Sequence, residues 1–334
     1  MTGGEPGIAC IGLGRWGANY PAKLTAMPAV GRVAYFDADP ERMRAAGEKY
    51  PDAEPLASWE AFLGSDYGAA VIAAPAARHA ELAREALAAG KDLLVEKPLA
   101  LTPADAAGLV ELAEEKRAVL MVGHILLFDP AFEALKKVVT AGELGDVKYM
   151  TAARAKLGTI RTEEDVLFSL SAHDVALALW LLEDEAAAAS AVGVDARGTG
   201  IDDAAFLNVT FKGGAVLGAW ASWLYPVPTR RFAVVGGRAM ASVIQEKRGP
   251  GELVIYEKGA RDGEAGPEVY DDGSRTVETP QIDLLEAELT HFISCLASRE
   301  APRADGRQGL EAVKILAAAQ KSAAAGGAPV RLEG

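Results

Sequence analysis

The first third of the chain alternates short, nearly continuous apolar runs with longer stretches whose apolar residues recur at helical spacing. The runs cover residues 7–12, 32–36, 70–74, 92–95 and 119–122. Strands that are apolar throughout, rather than at every second position, belong to a parallel sheet buried on both faces. Helices are expected between them at 16–27, 40–49, 58–63, 78–89 and 103–117. Their start signals agree. Asp39-Pro40 and Thr102-Pro103 each put a capping side chain before a first-turn proline, and Asp105 adds an acidic residue. This alternation predicts an α/β fold with a doubly wound parallel sheet.

The pattern changes after about residue 123. A helix is expected over 129–141, ending at Gly142, and β-rich segments follow at 146–156, 187–195, 203–211, 215–224, 230–236, 239–244 and 252–257. A strongly apolar helix at 172–182 interrupts them. Gly213-Gly214 and Gly236-Gly237 separate adjacent runs, which is hairpin chemistry and implies antiparallel pairing. Residues 258–280 are rich in Gly, Asp, Glu and Pro and read as an exposed loop, and two helices at 281–298 and 306–325 close the chain. The expected organisation is two domains, 1–123 and 124–334, the second an α+β unit on an open, mostly antiparallel sheet. One face of such a sheet covers helices or a cleft. The other is left for an oligomer interface, so a homodimer or homotetramer is expected.

Composition narrows the classes of function. At 334 residues, half of them hydrophobic, the chain can bury two cores. A net charge of −13 argues against nucleic-acid binding through a broad basic surface. The two cysteines, Cys10 and Cys295, suggest neither a disulfide framework nor a structural zinc site, and Cys10 reads as a small core residue. The first residues show no basic segment followed by an apolar one, and no apolar stretch reaches membrane-spanning length, so a cytoplasmic protein is expected.

The chemistry starts at the first strand. It runs into Gly12-Leu13-Gly14-Arg15-Trp16-Gly17, three glycines at dinucleotide-binding spacing. Gly12 permits the tight turn, Gly14 lets the backbone approach a pyrophosphate, and Gly17 allows close helix–sheet packing; Arg15 and Trp16 lie in the same loop. The helix start then offers free N–H groups and a partial positive charge to the phosphates. Asp37, at the end of the second strand, can accept hydrogen bonds from both adenosine ribose hydroxyls and would repel a 2′-phosphate. That favours NAD over NADP, although Arg42 nearby softens the repulsion. Ala74-Pro75 ends the next strand, and His79 falls in the turn where a cofactor ribose would lie.

Glu96-Lys97-Pro98 follows the strand at 92–95, where ligands of open α/β sheets bind. A partly desolvated Lys97 beside a cationic nicotinamide would have a lowered pKa and could orient a substrate hydroxyl or relay its proton; the same tripeptide also fits a solvated lysine before a turn. Pro98 stiffens that turn, in trans or through a cis bond. Ser171-x-x-Asp174 has the form of a capping box. It would place His173 in a first helical turn, where the dipole keeps the ring neutral and fit to act as a general base. Alternatively, His173 simply satisfies a hydrogen bond at a domain seam. His124 stands at the domain junction and either faces a cleft or bridges backbone groups, while His291 reads as structural. Trp220, Trp223 and Tyr225 fit a core or a stacking surface. No HExxH, GxSxG or GxxxxGK[ST] occurs.

Taken together, the glycine motif, Glu96-Lys97-Pro98 and a histidine opening a helix in the second domain resemble the Gfo/Idh/MocA oxidoreductases, over essentially the whole chain. The resemblance implies a Rossmann domain followed by an open-sheet domain, with NAD(P)-dependent oxidation or reduction of a carbinol on a sugar, inositol or related polyol. It implies that Lys97 is the family's lysine and His173 its acid/base histidine. It places His79 near the cofactor, although Ala74 stands where many members have threonine. Many members also carry an aspartate four residues before the histidine; here that position is Ser169. The segments from Leu157 to Asp174 and from Met121 to Phe128 are similar to a subgroup acting on nucleotide-linked amino sugars, the UDP-N-acetylglucosamine 3-dehydrogenases. That resemblance implies oxidation of a secondary hydroxyl at C3 of a UDP-N-acetylhexosamine. Arg154 and Arg161 become candidates for the anionic diphosphate, or else ion-pair partners. Asp174 would order the helix start and bind a sugar hydroxyl, with Lys97, His124 and His173 completing the substrate site. A free sugar or inositol dehydrogenase, a sugar 3-ketoreductase, and a non-catalytic NAD-sensing subunit are the competing readings.

Overall fold

The computed structural model describes residues 5–245, 249–263 and 266–332. The chain forms two compact units. One is built from the chain up to His124 together with Leu285–Val313, the other from Ile125–Leu284 together with the chain from Lys314 onward. The expected division at 123/124 follows the order along the chain; in space, the first unit also takes Leu285–Val313.

In the first unit the elements run β1 (Gly7–Ile11), α1 (Tyr20–Thr25), β2 (Arg32–Phe36), α2 (Pro40–Lys49), β3 (Glu54–Pro55), α3 (Trp59–Leu63), β4 (Ala69–Ile72), α4 (Ala76–Ala88), β5 (Asp92–Glu96), α5 (Pro103–Lys116) and β6 (Leu120–Gly123). All strand pairs are parallel and the sheet order is β3-β2-β1-β4-β5-β6. The chain winds outward in both directions from the β1/β4 boundary, and that switch point is where open α/β sheets bind ligands. Every residue of β4 and β6 is buried, as continuous apolar runs require. The expected caps form: Asp39 accepts from the Glu41 N–H, and Thr102 Oγ1 accepts from the Asp105 N–H. The helix expected from residue 16 begins instead as a 3-10 turn, Gly17–Asn19, and becomes α-helical only at Tyr20.

The second unit contains α6 (Pro130–Thr140), β7 (Val147–Ala155), α7 (Ala172–Leu182), β8 (Ala186–Val194), β9 (Ala204–Phe211), β10 (Val216–Ser222), β11 (Thr229–Gly236), β12 (Met240–Ile244), β13 (Glu252–Gly263) and β14 (Gly266–Val277). The chain closes with α8 (Leu284–Ser298), α9 (Gly306–Ala324) and the short β15 (Val330–Arg331), which pairs with β8. The nine-stranded sheet has the order β14-β13-β12-β11-β7-β10-β9-β8-β15, antiparallel except for the β7–β10 pair. Both glycine pairs mark hairpins, β9–β10 and β11–β12. In β9 the residues Ala205, Leu207, Val209 and Phe211 are buried while Phe206, Asn208 and Thr210 are exposed, so this sheet has one covered and one open face.

The exposed loop expected over 258–280 is a correction. The segment is the long hairpin β13–β14, whose ladder runs from Leu253↔Val277 to Gly263↔Gly266. Both its faces are wet, so it carries no apolar alternation from which a strand could be read. Its outer part is held by the backbone ladder, with surface pairs Lys258–Asp271 and Arg275–Glu143 alongside.

One buried carboxylate organises the start of α6. Asp129 is fully buried; it caps α6 through the Ala131 N–H and also accepts from Gln245 Nε2 at 2.8 Å and the Gly251 N–H at 2.9 Å. It thereby joins α6 to the chain between β12 and β13. Asp129→Ala strands three donors and should lower stability by about 3 kcal/mol, read from the denaturant midpoint at unchanged m-value.

Candidate active site

In the first unit the three glycines do three different jobs. Gly12 leaves β1 at a φ of +90°, and a Cβ there would lie 2.7 Å from the Ala74 nitrogen, so both its conformation and the closeness of the loop after β4 demand glycine. A Cβ on Gly17 would lie 2.0 Å from the Gly12 carbonyl oxygen. A Cβ on Gly14 would meet nothing nearer than Arg42 Nη1 at 3.7 Å. The first and third glycines serve the fold, and the second leaves backbone accessible. Arg15 and Trp16 of the same loop are exposed.

Asp37 is tied into that loop. Its Oδ2 accepts from the Leu13 N–H at 2.6 Å and its Oδ1 from the Asp39 N–H at 2.8 Å, while Arg42 lies 3.4 Å from Oδ2 and 3.4 Å from Asp39. A carboxylate has about four acceptor sites, so two amides still leave lone pairs for a ribose. Arg42 is shared between two carboxylates, which keeps this corner net negative. The open backbone at Gly14 and the fixed Asp37 fit a dinucleotide with an unphosphorylated ribose.

The Glu96-Lys97-Pro98 turn follows β5, and its Lys97–Pro98 peptide bond is cis. Glu96 Oε1 accepts from Trp16 Nε1 and from the Tyr20 hydroxyl, and Oε2 accepts from the Lys97 N–H at 3.2 Å. A Cβ on Gly123 would lie 3.1 Å from the Glu96 carboxyl, so the end of β6 is shaped to admit it. Lys97 itself is half-buried.

His79 is almost fully buried, with Nδ1 2.7 Å from the Pro98 carbonyl oxygen and Nε2 2.9 Å from that of Ala74. Burial pushes its pKa down, and the two carbonyls oppose the shift. Each nitrogen faces a carbonyl oxygen and the one that carries the N–H donates to it, so the ring bridges the loop after β4 and the turn after β5. Ala74 and the exposed Pro75 lie on the loop so held. His124 is buried; burial first, and then the charge of Lys97, lower its pKa to about 3, so the ring is neutral at physiological pH. Its Nδ1 has no hydrogen-bond partner among the described residues.

The second unit holds the remaining expected residues. Ser171 does not cap α7: it has helical backbone angles and makes no capping bond. A π-helical turn, Leu167–Ser171, precedes α7, and Asp165 caps the whole run by accepting from the Phe168 N–H at 3.0 Å. The capping box expected at Ser171–Asp174 is therefore absent, and half-buried His173 sits beyond the first turn of the continuous helix, where the dipole is weaker. The other half of that motif, Asp174, is fully buried and held by Arg154 at 2.7 Å from Nη2, with Nε 3.2 Å from both carboxyl oxygens. Burial raises the Asp174 pKa against the pull of Arg154. Arg161 is exposed and lies 3.5 Å from Glu164. Trp223 is core, its Nε1 donating to Asp203; Trp220 and Tyr225 pack edge to face at 5.3 Å, with Tyr225 exposed. Back in the first unit, His291 accepts the Arg303 N–H at 2.9 Å, a structural bond.

Two buried residues of the first unit escaped the sequence reading. Tyr20 lies one helical turn beyond Trp16. Glu288 lies in an apolar stripe with Leu285, Leu289 and Phe292, and an acid in such a stripe was the available signal.

The first unit defines a dinucleotide-binding α/β protein, and to it is joined a unit built on a mixed sheet. Residues 7–124 match the oxidoreductase family with an NAD-binding Rossmann fold, and residues 132–242 match the GFO/IDH/MocA C-terminal domain. The chain belongs to the Gfo/Idh/MocA oxidoreductases and is an NAD-binding enzyme. It is 32% identical over 311 residues to a UDP-N-acetylglucosamine 3-dehydrogenase of Acidithiobacillus ferrooxidans, covering 92% of this chain and 93% of the relative. It is 34% identical to inositol 2-dehydrogenase 1 of Saccharopolyspora erythraea, over 53% of this chain and 55% of the relative. The solved structure of UDP-N-acetylglucosamine 3-dehydrogenase GnnA from A. ferrooxidans superposes with a TM-score of 0.83 at 28% identity, covering 96% of this chain and 97% of that one. No helix among the described residues is long and apolar enough to cross a membrane.

Gly17→Ala and Gly14→Ala should separate folding from binding. Gly17→Ala forces a Cβ onto a carbonyl and should cost about 1–3 kcal/mol in thermal or denaturant unfolding. Gly14→Ala should leave the unfolding midpoint within about 0.5 kcal/mol of wild type while weakening NAD at least about tenfold in a fluorescence titration.

Proposed function

We propose that this enzyme oxidises the C3 hydroxyl of a UDP-N-acetylhexosamine such as UDP-N-acetylglucosamine, with NAD as hydride acceptor. The observation that carries the reading is the likeness, over more than nine-tenths of both chains, to a dehydrogenase named for that reaction. The likeness to the inositol dehydrogenase spans about half of each chain. It favours the second reading, a free polyol dehydrogenase.

The residues that would hold NAD are the Gly12–Gly17 loop for the pyrophosphate, Asp37 for the adenosine ribose, and the loops braced by His79 for the nicotinamide end. The chemistry supplied by bound NAD is acceptance of a hydride from the carbinol carbon. His173 takes the hydroxyl proton, and the Lys97 ammonium orients that oxygen and stabilises the negative charge growing on it. His124, kept neutral, offers a nitrogen to a substrate hydroxyl without adding charge beside Lys97. The Arg154 fork is committed to Asp174, so of the two arginines Arg161, on an exposed segment, is the better diphosphate ligand. Arg154–Asp174 instead fixes α7, and with it His173, against β7.

The open face of the nine-stranded sheet supports self-association. Val192, Phe206 and Trp220 form one cross-strand row, and Phe206 is 55% exposed. Phe206→Asp should shift the sedimentation coefficient of the assembly to that of the monomer; an unchanged value removes this face from the interface.

Lys97→Ala and His173→Ala should each lower kcat about 10²–10⁴-fold with the fold intact. In calorimetric titration of the NAD-loaded enzyme, UDP-N-acetylglucosamine should release heat and free inositol or glucose should not. Heat from the free polyols alone would transfer the assignment to the second reading.

A further inference from the structure

The end of β6 places a second side chain beside the turn that carries Lys97. Glu96 on β5 is in register with Gly123 on β6, so Lys97 and His124 each follow the end of one of two neighbouring parallel strands. Those strand ends are one strand spacing, about 4.8 Å, apart. The His124 backbone turns back at once, its N–H donating to the Val122 carbonyl oxygen at 2.7 Å. The ring is buried, with only 2% of the residue exposed. Its Nδ1 is sealed from solvent and has no hydrogen-bond partner among the described residues; Nε2 has no partner there either, but it is not sealed.

That asymmetry decides where the ring carries its hydrogen. An imidazolium would strand an N–H at Nδ1 and set a second positive charge within reach of Lys97, so the ring is neutral. Burial, and after it the Lys97 charge, lower its pKa to about 3, in keeping with this. A neutral ring has one N–H. On Nδ1 that donor would be stranded in the interior, which folded proteins avoid more strictly than a stranded lone pair. On Nε2 it can reach a ligand.

We propose that His124 is a second catalytic donor beside Lys97: its Nε2–H, together with the Lys97 ammonium, holds the reacting oxygen of the substrate. The proposal rests on the role given to Lys97 above. A secondary hydroxyl has one hydrogen and two lone pairs. In the oxidation its hydrogen leaves as a proton to the base, the carbinol carbon gives up a hydride to bound NAD, and the C–O bond becomes C=O. At least two lone pairs stay on that oxygen throughout, so two donors suit it at every stage and hold it most strongly while negative charge is growing on it. With its lone pair on the sealed Nδ1, His124 cannot be the base, which leaves that part to His173.

The test joins tautomer and kinetics on the full-length enzyme. In two-bond nitrogen–proton NMR spectra of the histidine-labelled protein, the signals lost in His124→Gln should show a proton on Nε2 and a bare Nδ1. His124→Leu should lower kcat for UDP-N-acetylglucosamine about 10²-fold with KM nearly unchanged. His124→Gln, which keeps an N–H near the place of Nε2, should recover at least about tenfold of that loss. A proton on Nδ1 overturns the donor role. So does an unchanged kcat in the folded Leu variant, or an equal loss in the Leu and Gln variants, which is what a packing role would give. If the Leu variant does not fold, the tautomer decides. If the wild type does not turn over UDP-N-acetylglucosamine, the C3 reading fails; the variants are then compared on inositol, and the tautomer is read without any substrate.

Discussion

The turn that carries Lys97 hangs on one carboxylate. Glu96 receives the Trp16 indole from the loop after β1, the Tyr20 hydroxyl from the helix that follows, and the amide of Lys97 itself, and it lies against Gly123 at the end of β6. Bonds to an ionised acceptor are about twice as strong as neutral ones and more directional. Three donors converging on a single group therefore lock the glycine loop to the lysine turn. The His79 ring adds a second tie between the loop after β4 and Pro98. Trp16 and Glu96 thus hold each other in place, and His79 holds the two loops beside them.

Buried charge plays the corresponding part in the second unit. Arg154 and Asp174 join β7 to α7, Arg197 and Trp223 both serve Asp203, and Asp129 ties the start of α6 to Gln245 and Gly251. A buried ion pair adds little net stability, because desolvation offsets the attraction. What it adds is geometry, since a displaced partner would leave a charge without compensation. The sheet and helix that present His173 are fixed in this way, with the π-turn before α7 capped by Asp165 rather than by the serine of the apparent capping box.

Legibility varied with how local the determining forces were. The strands of the first unit, the helix 40–49 and the helix 172–182 could be read because apolar periodicity, N-cap residues and prolines act within a few residues. The 3-10 start at Gly17, the π-turn at Leu167 and the β13–β14 hairpin could not. None of the three carries a local signal: the Gly17 turn packs where no Cβ fits against the Gly12 carbonyl, the π-turn is capped by Asp165 rather than by Ser171, and the outer hairpin is exposed on both faces. Of the site, Gly12, Gly17, Asp37, Lys97 and Pro98 stood out because their residue types are needed at those spacings. Tyr20 did not, since a tyrosine in a helix is ordinary until its neighbours are known, and Glu288 was marked only by its place in an apolar stripe.

By itself, the sequence determined the alternating elements, the parallel sheet with its glycine turn and acidic strand end, and the tripeptide after β5, because each is written in short-range spacing and residue chemistry. Only the tertiary structure decided which of the expected polar residues are already spoken for. Arg154 is committed to Asp174, His79 to two carbonyls and Glu96 to three donors, while Glu288 is left without any. Apart from the Lys97 amide, those assignments join groups 5 to 80 positions apart in the chain, from His79–Ala74 to Trp16–Glu96, and hydrogen bonding at such separations is settled by packing rather than by local pattern.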